Sequence, residues 1–173
     1  METQIGDLLK SDCDIILQQL NCLCICPHGL SQSIAKKFPY ADVYRKRKPI
    51  GTRNLSVPEN RGTPGRITIS KGNGPIVIGL YGQYDFGRAY RKGSRPQWEG
   101  VETNEQRVKW FQKCLRNLEK WLSFNNMNCE NITIGVPFGI GCGLAGGDWS
   151  VYSEMLNRFT DKVKCKVIMF RLK

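Results

Sequence analysis

The chain has 173 residues, one domain's worth, with 40% hydrophobic and 24% charged side chains, which excludes disordered and collagen-like classes. No run approaches the roughly 18 apolar residues of a membrane-spanning helix. There are 26 basic and 15 acidic side chains, a net charge of +11, and residues 36–95 carry the excess with 14 bases against three acids, a balance that attracts phosphates.

In chain order, Asp14–Leu20 reads as a buried strand because it is mostly apolar. In Gly29–Phe38, residues Leu30, Ile34, Ala35 and Phe38 recur at helical spacing until Pro39 stops the pattern. Residues 40–66 are basic and rich in Gly and Pro with no lasting period. They read as an irregular surface segment, with Arg45-Lys-Arg-Lys48 as a solvated face. Ile67–Ser70, a Gly72-Asn-Gly74 turn and Pro75–Leu80 make a hairpin, and 82–100 reads as an exposed loop. A helix is predicted over 104–124, where Thr103 and Gln106 match a capping box and Val108, Phe111, Leu115, Leu118 and Leu122 step along one face. A strand at 131–136, a helix from about Trp149 with Tyr152, Met155, Leu156 and Phe159 on one side, and a strand at 164–170 complete the chain. Strands alternating with helices imply an α/β fold with a largely parallel sheet covered on both faces, as a single domain over 1–173.

In such sheets ligands bind beyond the carboxyl ends of the strands, in the loops leading to helices. One of these loops, Pro137–Gly147, has five glycines in eleven residues, more than a turn requires. Glycines let main-chain N–H groups approach an anion, and the following helix start adds unpaired donors and a favourable dipole. The loop therefore reads as a diphosphate cradle, although neither the Walker pattern nor the dinucleotide fingerprint is present. The other loop, Asn21–Gly29, begins with a carboxamide suited to a sugar hydroxyl or a water. It also holds His28, the only histidine, which suits either helix capping or acid/base work. Cys22, Cys24, Cys26 and His28 alternate, so an extended segment would turn all four one way. Their spacing departs from the usual zinc pattern, and no metal is expected. Asp148 suits an N-cap and, beside a phosphate cradle, could also activate a water. The opening METQIGDLLKSDCD lacks the features of a secretory signal, so the expected place is inside the cell with the eight cysteines reduced.

Four pieces together resemble the macro domain family of ADP-ribose-binding α/β/α proteins. They are Gly6-Asp-Leu-Leu9, Asp14–Asn21 ending in Asn, Pro27-His-Gly-Leu30, and Gly139–Trp149 with its Gly-Asp-Trp ending. The order and spacing match over essentially the whole chain, nearest to the branch of the yeast ADP-ribose 1″-phosphate phosphatase and related phage and viral proteins. The resemblance implies that Asp7 bonds the adenine amino group beside Leu8, that Phe170 packs on adenine, and that Asn21 binds the distal ribose. It implies that Pro27, His28, Gly29 and Leu30 form one diphosphate-side loop. Gly139, Ile140, Gly141, Cys142, Gly143, Leu144 and Ala145 would wrap the phosphates from the other side. Another hydrolase branch has a lysine after the hairpin strand and an aspartate after Gly-Cys-Gly-Leu, where this chain has Tyr81-Gly-Gln83 and Ala145. A further branch has a glycine run where this chain has Cys26-Pro-His28. The expectation is a metal- and cofactor-free hydrolase of ADP-ribose 1″-phosphate or a related conjugate, with His28 as acid/base and Asp148 positioning water. The alternatives are a reader of ADP-ribose without chemistry, or a binder of poly(ADP-ribose) or RNA through residues 36–95. Expected partners are ADP-ribose derivatives or an ADP-ribosylated protein and no membrane. The chain is expected as a monomer in the cytoplasm or nucleus, of a host cell if viral.

Overall fold

A computed structural model describes residues 1–90 and 93–173. Its centre is a six-stranded sheet in the order β1-β6-β5-β2-β4-β3. The strands are β1 (Glu2–Ile5), β2 (Ile15–Asn21), β3 (Ile67–Ser70), β4 (Ile76–Gln83), β5 (Thr133–Pro137) and β6 (Lys166–Arg171). All neighbours run parallel except β3 and β4, which form the expected hairpin. The helices are α1 (Leu30–Lys37), α2 (Asn104–Phe124) and α3 (Trp149–Lys162).

Strand alternation decides which helix lies on which face. Ile15 and Leu17 of β2, with Ile78 and Leu80 of β4, turn to one side and meet Phe111, Leu115 and Leu118 of α2 and Leu156 and Phe159 of α3. Ile16, Val77 and Ile168 turn to the other and meet Ile34 and Phe38 at α1. The result is a three-layer α/β/α fold with β2 buried on both faces. Among the described residues no helix is long and apolar enough to cross a membrane.

Helix α2 has the expected bounds because its capping box forms in full: Thr103 Oγ1 accepts the Gln106 N–H at 3.1 Å, and Gln106 Oε1 accepts the Thr103 N–H at 2.6 Å. One strand was not anticipated and two expectations need correction. Strand β1 had no sequence signal, because all four of its side chains are exposed and it joins the sheet through its backbone pairing with β6. Residues 40–66 are irregular but not confined to the surface: Tyr44, Arg47, Leu55 and Ser56 are buried, so the basic run is not wholly a solvated face. The loop after β4 is likewise anchored, with Tyr84 and Asp85 buried and Asp85 paired to Arg95 at 2.7 Å. Arg91 and Lys92, part of that loop and of the basic segment, lie outside the described residues.

Candidate ligand-binding cavity

A cavity of about 510 Å³ opens beyond the carboxyl ends of β2, β4 and β5. Four stretches wall it: Gln19 and Asn21 of β2; His28 to Ser31 at the start of α1; Gln83 at the end of β4 with Phe86 and Gly87 beyond it; and Pro137 at the end of β5 with Phe138 to Gly141 and Gly143 to Ala145 beyond it. Tyr44 reaches it from the irregular segment.

Each wall is held by local chemistry. Gly29 enters α1 at φ +55°, a left-handed conformation that glycine adopts readily, and leaves the helix without a side-chain cap. Leu30 and Ser31, in the first turn where N–H groups have no intrahelical acceptor, line the cavity. The opposite loop closes on itself through Cys142 N–H to the Gly139 carbonyl (2.8 Å) and Gly147 N–H to the Gly141 carbonyl (3.1 Å). Gly141 packs so closely on α3 that a Cβ there would stand 2.4 Å from Cε1 of Tyr152, and its φ is +77°. Gly141 and Gly147 therefore serve a close approach to Tyr152, whereas Gly139 and Gly143 have open space beside them.

Behind this loop lies a buried ion pair that sequence reasoning missed. Arg107 Nε of α2 donates to Glu102 Oε1 at 2.8 Å, and both residues are buried. Arg107 Nη1 also donates to the Gly87 carbonyl (2.6 Å) and the Ala145 carbonyl (2.9 Å), tying two cavity walls to one guanidinium. Glu102 in turn accepts the backbone N–H groups of Tyr84 and Asp85. At the floor, Gln19 Nε2 donates to Gln83 Oε1 (2.6 Å) and Gln83 Nε2 donates to the Asp85 carbonyl (3.1 Å). That carbonyl can only accept, which fixes the direction of both amides and leaves Gln19 Oε1 without a partner. Asn21 Oδ1 accepts the Cys24 N–H (2.8 Å), and the Asn21 N–H donates to the Tyr44 hydroxyl (3.1 Å).

Of the expected site residues, Asn21, His28, Gly29, Leu30, Gly139, Ile140, Gly141, Gly143, Leu144 and Ala145 are brought together on the cavity wall. The others are not among its lining residues, although the Phe170 carbonyl accepts the N–H of the wall residue Phe138 at 2.8 Å. Asp7 caps a single 3-10 turn by accepting the Leu9 N–H at 2.9 Å. Leu8 and Phe170 are packed in the core on the α1 side, with Ile168 and Phe38. Pro27 and Cys142 flank wall residues without joining them, and burial pushes the Cys142 thiol up to about 11. Asp148 is exposed and caps α3, accepting from the Ser150 N–H (2.9 Å) and hydroxyl (2.8 Å); these bonds hold its carboxyl below the usual carboxylate range. The segment after Asn21 is bent rather than extended, so Cys22 and Cys24 are buried while Cys26 and His28 are exposed. Among the described residues, no group of three or more His, Cys, Asp or Glu side chains converges on a metal position.

Gln19, Ser31, Tyr44, Gln83, Phe86 and Phe138 are wall residues the sequence did not flag. Gln83 was read as loop because the apolar run stops at Leu80, whereas β4 continues to Gln83; Tyr44 and Phe86 come from aperiodic segments. Phe138 stacks obliquely on Trp149, with ring centres 4.9 Å apart, while Arg171 lies 4.8 Å over its ring.

No family model and no curated protein matches the sequence. Solved structures do. The macrodomain of Mycobacterium tuberculosis DarG is similar with a TM-score of 0.65 at 18% identity, over 96% of this chain and 97% of that one. Thermosipho africanus DarTG in complex with ADP-ribose gives 0.65 at 14% identity, over 99% of this chain and 42% of that one. The Trypanosoma brucei macrodomain in complex with ADP gives 0.60 at 13% identity, over 98% of this chain and 62% of that one. The alternation of burial, the strand order and these likenesses agree that the chain has the macrodomain fold.

Proposed function

We propose that the cavity binds ADP-ribose and that the protein hydrolyses ADP-ribose 1″-phosphate or a related ADP-ribosyl conjugate, as the phosphatase branch it resembles would. The observation that carries the binding reading is the convergence of two glycine-bearing loops, one opening α1 and one following β5, on a single cavity at the strand ends. Structures of the same fold solved with ADP-ribose and with ADP support the choice of ligand. In this reading main-chain N–H groups of the two loops clasp the diphosphate and Asn21 holds the distal ribose. His28, the histidine on the wall, carries the proton transfers. A role for Asp148 requires its carboxylate to leave Ser150 and turn toward the cavity.

A binder without chemistry is the competing reading, favoured by the lack of any carboxylate among the described wall residues. Calorimetry with ADP-ribose beside a phosphate-release assay on the 1″-phosphate separates the two. The hydrolase reading expects turnover in the wild type, lost in His28→Ala and in Asp148→Ala with ADP-ribose affinity nearly intact. Binding without turnover establishes the reader instead, and unchanged turnover in one variant removes that residue from the mechanism.

A further inference from the structure

Arg47 is a buried cation that the binding reading leaves unused. It is 8% exposed, and its Nη1 donates to the Cys24 carbonyl at 2.6 Å. Its Nη2 donates to the Asn21 carbonyl at 3.1 Å and the Tyr81 hydroxyl at 3.2 Å. The guanidinium carbon lies 4.5 Å from the ring centre of Tyr44 and 5.8 Å from that of Tyr81. All of these partners are neutral. Among the described residues, the carboxylate ion pairs engage Arg95, Arg107, Arg158, Lys162 and Lys166, and none engages Arg47. A desolvated guanidinium is ordinarily matched by a carboxylate, since carbonyls and rings offer dipoles but leave the charge whole.

The position of that charge gives it a use. Asn21 and Tyr44, both in contact with Arg47, are themselves wall residues of the cavity, and the Asn21 loop carries His28. A full positive charge therefore stands one side chain behind the wall where the reacting end of the ligand would lie. Through low-dielectric protein its field reaches the cavity far less screened than that of a surface lysine.

We propose that Arg47 is a specificity residue, whose unneutralised charge makes the Asn21–Tyr44 end of the cavity select ligands ending in an anionic group, a phosphomonoester above all. The inference rests on the ADP-ribose reading and adds to it the charge of the terminal group. Arg47 touches no ligand and makes or breaks no bond; it acts through the field alone.

The test compares ADP-ribose with its 1″-phosphonate analogue, which is dianionic at that end and resists hydrolysis, by calorimetry on the intact chain. The wild type is expected to bind the phosphonate about tenfold more tightly, a ratio that a single nearby charge supplies at intermediate dielectric. The ratio is expected to persist in about 0.5 M salt, where contributions from exposed charges are largely screened. Arg47→Met is expected to bring the two affinities together, and Arg47→Lys to keep them apart. Equal affinities in the wild type, or a preference retained by Arg47→Met, overturn the inference while leaving ADP-ribose binding standing. If neither ligand binds the wild type, the binding reading fails and takes this one with it. Should Arg47→Met not fold, the salt series decides: a preference that vanishes with salt assigns it to the surface and overturns the inference.

Discussion

Arg107 shows how one residue can join the core to the site. Its guanidinium is spent on Glu102 and on carbonyls from two cavity walls, so removing it strands a buried carboxylate as well as releasing both loops. Arg107→Met is expected to cost about 3–5 kcal/mol in urea unfolding, with a large part recovered in Arg107→Met/Glu102→Leu, because loss of one partner from a buried pair is worse than loss of both. A double variant no more stable than the single would show that the carboxylate is not the source of the penalty. The sequence hid this residue in plain view: Arg107 stands four residues before Phe111 and seven before Cys114, on the apolar stripe itself, yet a charged side chain in a basic chain reads as solvent-facing. Arg47 was hidden in the same way, inside a basic run that reads as solvent-facing.

At the scale of elements, the sequence was readable wherever periodicity and burial coincide. The predicted bounds of α2 matched because a capping box marks its start and five apolar residues follow one face. The strands β2 and β4 were readable because sheet burial on both sides demands near-continuous apolar runs. Strand β1 was not, since an exposed edge strand can have any pattern, and the anchored parts of 40–66 and 82–100 were not, since long-range contacts rather than local spacing bury them. The glycine loop and the Asn21–His28 loop were legible as a site through composition and position, whereas the Gln19–Gln83 floor depended on strand pairing. The cap is a direct test at this scale: Thr103→Ala is expected to lower stability by about 1 kcal/mol, read as a shift in the urea midpoint with an unchanged slope. Thr103→Ser, which keeps the hydroxyl, should lose far less; equal losses would mean the cap bond contributes little.

Across the whole molecule, the net charge of +11 is concentrated in residues 36–95, where Arg45, Lys46, Lys48 and Arg53 are exposed. A cluster of exposed cations is expected to add a salt-dependent affinity for polyanions, separate from the cavity and measurable with poly(ADP-ribose) and with RNA as probes. Polymer affinity is expected to fall steeply and linearly on a log–log plot against salt, while mononucleotide affinity falls far less. A polymer affinity indifferent to salt would remove the charged surface from recognition. The central claim, that ADP-ribose occupies the space between the two glycine-bearing loops, is tested most directly by titrating the labelled protein with ADP-ribose and following each backbone amide by NMR. Saturable shifts are predicted at Asn21, at Gly29 to Ser31, at Gln83 to Gly87 and at Phe138 to Ala145. Shifts confined to the Arg45–Arg53 surface, or no saturable change at all, would contradict it.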